Sequence, residues 1–318
     1  MKTIFTTAIL FIFSVAQLIA QTDSLPKSSE VILFTKSGNI HGSLMIPASP
    51  KPMPVVLFIA GSGPTDRDGN NVSMKNNSLK LLATELYQNQ IASLRFDKRG
   101  IAESRDAGEN EKDLRFDDYI QDAEEWIKLL KSDHRFSKVI VLGHSEGSLI
   151  GMIAAERAEA LGFISVAGAG QPADQILRQQ LRGQPMNVVA MCNQVLDSLV
   201  QGRMMSKIDP SLNTLFRPAI QPYLISWFKY DPAAEIKKLK TPVLILQGTT
   251  DIQVSVKDAE LLAAANPAAS YMKIEGMNHV LKAASADRTQ NLSMYNDPLA
   301  PVKPELVQEI VNFIMKIK

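Results

Sequence analysis

One cysteine, Cys192, is present in 318 residues, which excludes an internal disulfide and any Cys-rich zinc or iron–sulfur site. Histidine is scarce as well: His41, His134, His144 and His279 leave little material for a His-rich metal centre. Neither charge is in surplus, with 34 Lys and Arg against 33 Asp and Glu. A nucleic-acid binder would show a strongly basic balance, so none is expected. No repeat of fixed period, low-complexity tract or heptad array occurs, which argues against solenoids, collagen-like chains and coiled coils. No glycine-rich phosphate loop or dinucleotide fingerprint appears, so neither ATP nor NAD is expected. The reading needs no cofactor and no metal.

What is present begins with an apolar stretch, Ala8-Ile-Leu-Phe-Ile-Phe-Ser-Val-Ala-Gln-Leu-Ile-Ala20, preceded by the single charge of Lys2. Its 13 residues fall short of the ~20 that a membrane span needs. The pattern fits the apolar core of a secretory signal, with cleavage near Ala20 and no stable membrane span afterwards. Residues 21–30 are polar and read as a linker. Loss of residues 1–20 removes one Lys, so the mature chain carries 33 positive and 33 negative charges. An exported chain without disulfides suits a bacterial periplasm or the exterior.

Residues 31–318 read as one domain. Val31–Thr35 and Asn39–Ile46 flank Lys36-Ser37-Gly38 as a hairpin. Val55–Ala60 is apolar at every position, as in a strand buried on both faces. A helix at about Ser78–Gln90, a strand Ile91–Phe96, a helix Phe116–Lys131 and a strand Val139–Leu142 follow. The helix Leu149–Ala158, strands at Phe163–Ala167, Val243–Leu246 and Ser270–Ile274, and a final helix Pro304–Ile317 complete the series. Strands alternating with helices predict an α/β fold, a mostly parallel central sheet with helices on both faces. Residues 171–230 break the rhythm. They hold Leu177, Leu181, Val188, Leu196 and Leu199 at helical spacing and no convincing strand, so they are expected to form a helical cap inserted over the sheet.

The segment Gly143-His144-Ser145-Glu146-Gly147 matches G-x-S-x-G between a strand and a helix. A serine there occupies a strained strand-to-helix turn, and the flanking glycines let neighbouring backbone pass. The turn lifts the Ser145 hydroxyl out of the sheet, and the helix N-terminus behind it offers N–H groups to an oxyanion.

With these residues the chain resembles the α/β-hydrolase superfamily over roughly Val31 to Ile317. It is similar to the branch of serine-aminopeptidase-like, dienelactone-hydrolase-like and small bacterial carboxylesterase members. Further residues carrying the resemblance are Ala60-Gly-Ser-Gly-Pro-Thr-Asp-Arg-Asp-Gly69, Arg95-Phe-Asp-Lys-Arg-Gly100, Leu246-Gln-Gly-Thr-Thr-Asp251 and Gly276-Met-Asn-His279. In that family the nucleophile, acid and base follow one another along the chain. Ser145, Asp251 and His279 keep that order.

An alkyl hydroxyl is a weak nucleophile at neutral pH and requires a base, which in turn is oriented by a carboxylate. His41 lies in the early hairpin, His134 in a polar connection, and His144 on a sharp turn where adjacent side chains diverge. His279, in a loop after a strand, is the expected base. Asp251 ends a predicted strand, where ligand-facing residues of open α/β sheets lie. Its rivals are Asp231, Asp258 and Glu260. The oxyanion hole is expected from the backbone N–H of Glu146 and, by analogy with the family, from Ser62 or its neighbour Gly63. The family's loop often has His where this chain has Ala60, a loss of a loop-bracing side chain. The clusters Asp66-Arg67-Asp68 and Asp97-Lys98-Arg99 are expected to pin loops by salt bridges, with substrate binding by one arginine as the alternative. The Glu146 side chain could also meet a substrate amine.

Phe216, Tyr223, Trp227, Phe228 and Tyr230 in the cap suggest an apolar wall for an acyl or aryl group. The cap's six Lys and Arg against three Asp hint at an anionic group on the substrate. The favoured reading is a secreted serine hydrolase cleaving small-molecule carboxylic esters. A peptidase or amidase on the same triad, and a silent binding protein on the same fold, are the alternatives.

Overall fold

The computed structural model describes residues 27–108 and 110–318. The expected signal segment and most of the linker lie outside the described residues. Eight strands form one sheet: β1 (Ser29–Thr35), β2 (Gly38–Met45), β3 (Met53–Ile59), β4 (Ala92–Phe96), β5 (Phe136–His144), β6 (Gly162–Val166), β7 (Val243–Gly248) and β8 (Ser270–Ile274). Their order across the sheet is β1-β2-β4-β3-β5-β6-β7-β8. The hairpin β1–β2 runs antiparallel and joins β4 antiparallel; every other pairing is parallel.

The continuous apolar run of β3 follows from burial on both sides. Val55, Leu57 and Ile59 point to one core and Val56 and Phe58 to the other, as the two-residue period of a strand dictates. On the first face lie α2 (Phe116–Ser132) and α3 (Glu146–Arg157); on the second lie α1 (Ser78–Gln88) and α11 (Pro304–Lys316). In α2, Phe116, Ile120, Ala123, Ile127 and Leu130 are buried at helical spacing.

Between β6 and β7 come α4 (Ala173–Leu181), α5 (Met186–Val200), α6 (Asn213–Phe216) and α7 (Gln221–Trp227), with no strand from 171 to 230. This insertion is moored to the body by α7. Trp227 stacks on Phe116 of α2 with centroids 5.8 Å apart and rings 10° from parallel, and Ser226 Oγ accepts the Phe116 N–H at 2.8 Å. The chain re-enters the body through α8 (Pro232–Ile236), and α9 (Val256–Ala265) and α10 (Arg288–Ser293) complete it. Two short 3-10 helices, Ala102–Gly108 and Glu111–Asp113, had no counterpart in the sequence reading. Such short segments do not extend far enough to display a hydrophobic period.

Candidate active site

The parallel strands end on one edge of the sheet, and the candidate residues gather there. Ser145 is the residue between β5 and α3, with φ 55° and ψ −123°. That conformation is costly for a side chain other than glycine and is held by its surroundings. The Ser145 N–H donates to the Val166 carbonyl at 3.0 Å, tying the turn to β6. Both flanking glycines are required by space. A Cβ at Gly143 would collide with the Gly147 carbonyl, and a Cβ at Gly147 would collide with the Ile59 carbonyl at the end of β3.

Asp251 follows β7 and His279 follows β8. Asp251 Oδ2 accepts from His279 Nδ1 at 2.8 Å, and both side chains are buried. The other carboxylate oxygen accepts the N–H groups of Gln253 and Val254 at 2.8 and 3.0 Å, and Gln247 Nε2 donates to Oδ2 at 3.1 Å. Burial alone would raise the Asp251 pKa. The charge and hydrogen bond of His279, with the two backbone donors, outweigh it and hold the carboxyl below its usual range. Its rivals are engaged elsewhere: Asp231 caps α8 through the Ala233 N–H, Asp258 sits in the capping box of α9, and Glu260 faces Lys257 and Lys273.

The other histidines divide as their positions imply. His41 pairs with Glu30 at the sheet edge, and His134 is exposed. His144 has a function that the sequence did not disclose. Its ring is buried, lies 4.8 Å from the His279 ring, and its Nε2 donates to the His279 carbonyl at 2.8 Å. Burial, and then the neighbouring His279, push its pKa down to about 3, so the ring is neutral and fixes the backbone of the loop that carries His279.

Ser145 opens into two cavities. The larger, about 250 Å³, lies beneath the cap and is lined by Ser62, Gly63, Ser145 and Glu146 on the sheet side and by apolar cap residues such as Ile176, Leu177, Leu224 and Trp227. The smaller, about 70 Å³, contains Ser62, Ser145 and His279 beside Met74, Gln253 and Tyr295. Ser62 and Gly63 thus flank Ser145, as does Glu146, the first residue of α3, whose N–H belongs to the unpaired first turn of that helix. The loop lies tight on the elbow, for a Cβ at Gly61 would sit 3.1 Å from that of Ser145.

Several sequence expectations are corrected. The Glu146 carboxylate is not free for a substrate amine: Lys98 Nζ donates to Oε2 at 2.7 Å, and the Tyr223 hydroxyl donates to Oε1. Of the cap aromatics, Tyr223 and Trp227 line the larger cavity, whereas Phe216, Phe228 and Tyr230 do not. Phe216 is wholly buried in the core. No Lys or Arg of the cap lines that cavity, so the cap's positive charge does not face it. Arg178 and Arg217 pair instead with Asp197 and with Glu111. The two charged clusters do form the expected salt bridges: Arg67 joins them through Asp97 and also pairs with Glu103, Asp68 pairs with Arg95 of β4, and Arg99 pairs with Asp122 of α2.

A strained serine at a strand-to-helix elbow shares a cavity with a histidine that a buried aspartate orients, an arrangement found in serine hydrolases of the α/β class. The chain belongs to the α/β-hydrolase superfamily. Residues 75–220 match the serine aminopeptidase S33 family. The chain is 30% identical over 301 residues to Esterase EstD of Thermotoga maritima, covering 92% of this chain and 69% of that one. Among solved structures it is similar to Est1E of Butyrivibrio proteoclasticus with ferulic acid bound, with a TM-score of 0.62 at 16% identity over 90% of this chain and all of that one. It is similar also to the α/β hydrolase GrgF of Penicillium sp. sh18, with a TM-score of 0.60 at 16% identity over 91% and 98% of the two chains.

Proposed function

We propose that the protein is an exported carboxylic ester hydrolase that works through an acyl-enzyme on Ser145. The observation that carries this reading is the His279–Asp251 pair at 2.8 Å, with His279 sharing a small cavity with Ser145, which opens also onto an apolar cavity beneath the cap that holds no unpaired charge. His279 Nε2 takes the proton of the Ser145 hydroxyl as Oγ bonds to the ester carbonyl carbon. Asp251 keeps the Nδ1 proton in place and stabilises the imidazolium. The carbonyl oxygen, now an oxyanion, accepts the N–H of Glu146 and that of Ser62 or Gly63. Collapse of the tetrahedral intermediate breaks the bond to the leaving oxygen, which receives the proton from His279. Water then repeats the sequence on the acyl-enzyme and releases the acid.

The two cavities divide the substrate. The leaving oxygen must be within reach of His279, which lines the smaller cavity and not the larger. The leaving alcohol therefore lies on the Tyr295 side and the acyl group beneath the cap. An apolar cavity of about 250 Å³ suits an uncharged aliphatic or aryl acyl group.

A peptidase or amidase on the same residues is the second reading, favoured by the match to the serine aminopeptidase family. Against it, Glu146 is the sole carboxylate among the described residues lining the larger cavity, and it is already neutralised. p-Nitrophenyl esters of graded acyl length, assayed beside aminoacyl p-nitroanilides, separate the two. Esters are expected to turn over and anilides not. Ser145→Ala is expected to lower ester turnover by ~10³-fold or more with an unchanged circular dichroism spectrum. Full activity in the purified variant would refute the nucleophile. Export is tested by N-terminal sequencing of the mature protein, expected to begin near Gln21.

A further inference from the structure

The larger cavity's sheet-side wall depends on a buried lysine that the mechanism above does not use. Lys98 follows β4, its side chain is 2% exposed, and it lines neither cavity that contains Ser145. Its Nζ donates to the Gly61 carbonyl at 2.6 Å and to Glu146 Oε2 at 2.7 Å. The Tyr119 ring lies beneath it, with the centroid 5.0 Å away.

We propose that Lys98 is the positioning residue of the oxyanion hole, holding both of its donor segments with one ammonium group. The inference rests on the serine-hydrolase reading above. The Gly61 carbonyl and the Ser62 N–H belong to the same planar peptide unit, and in a trans peptide they point in opposite directions. Fixing the oxygen on a buried ammonium therefore fixes the direction in which the Ser62 N–H points. A cation on the carbonyl also polarises the amide and strengthens its N–H as a donor. The second donor, the Glu146 N–H, is held through its own carboxylate by the same Nζ. The relative placement of the two N–H groups thus passes through one atom. Lys98 takes over the bracing of a loop that has alanine at position 60.

Stability alone gives little reason for such a pair, since a buried salt bridge can usually be replaced by apolar groups without loss. The pair adds no net charge next to the oxyanion. The other titratable groups packed on it, Tyr119 and Tyr223, are phenols that burial and then the Glu146 charge hold neutral. Tyr223 comes from α7, so the cap closes on the same carboxylate and completes its hydrogen bonding.

The test uses the full-length enzyme and two variants, Lys98→Met and the double variant Lys98→Met with Glu146→Gln, which leaves no orphaned buried charge. Each is assayed on a p-nitrophenyl ester and titrated with an alkylboronic acid, whose tetrahedral adduct on Ser145 presents an oxygen to the oxyanion hole. Loss of positioning is expected to lower kcat ~10–100-fold, with KM within ~3-fold, because the contact is felt as charge develops. Boronate affinity should fall by a similar factor, while the urea midpoint of the double variant stays near that of the wild type. Wild-type kcat in a folded double variant overturns the proposal. So does a kcat loss with unchanged boronate affinity, and so does failure of the double variant to fold, which would make the pair a folding device. Wild-type enzyme that turns over neither esters nor anilides, and whose Ser145 resists a fluorophosphonate, would instead sink the hydrolase reading itself.

Discussion

His144 stands next to Ser145 in sequence, yet its ring turns away and binds the backbone of His279, the proposed base. Its buried neutral ring has a consequence for acid stability. In the unfolded chain a histidine takes up a proton below ~6.5. In the folded state the His144 pKa is about 3, so between these values the unfolded chain binds more protons. Stability therefore falls as pH is lowered through that window, by about 1.4 kcal/mol per pH unit from this residue. Urea unfolding at pH 4, 5 and 6 is expected to show His144→Gln with a shallower pH slope than the wild type, by about one proton. Equal slopes would mean that the imidazole is protonated in the folded state.

The elbow belongs to an element rather than to a residue, because β5, the turn and α3 must all pass close to β3. Gly143→Ala and Gly147→Ala each press a methyl onto backbone, which cannot yield as a side chain can. Both are expected to give insoluble or unfolded protein. Gly61→Ala meets Ser145 Cβ at 3.1 Å and is expected to fold, with its cost appearing in kcat as the donor loop shifts. Native-like spectra and activity in Gly147→Ala would show that the elbow is looser than described. This element was legible in the sequence, since Val139–Leu142 of β5 is a continuous apolar run and the motif names its own glycines. The Asp251 and His279 loops were legible too, being chemistry-bearing residues just beyond strand ends. What stayed hidden depends on distant elements converging. Lys98 after β4, Glu146 at the start of α3 and Tyr223 in α7 form one network, and no local period reports that. Nor could the cap aromatics be sorted, because Phe216 in the core and Trp227 on the cavity wall have the same helical spacing.

At the scale of the whole molecule, the proposed mechanism makes the cap the element that governs which acyl groups reach Ser145. Leu177, half-buried on α4, lines the larger cavity. Leu177→Trp fills part of that space and is expected to cut kcat/KM for octanoyl esters ~10-fold or more relative to acetyl esters. An unchanged ratio on a chain-length panel would place the acyl group elsewhere. The order of the parts along the polypeptide matters as well. The elbow and the donor loop lie in the first half of the chain, whereas the aspartate and histidine follow β7 and β8, beyond the cap. During synthesis, a chain that has emerged only as far as the cap contains the serine but has nothing to deprotonate it. On the proposed mechanism, reactivity toward esters arises only when the last two strands join the sheet, so the ribosome and any export machinery would handle an inert polypeptide until the fold is complete.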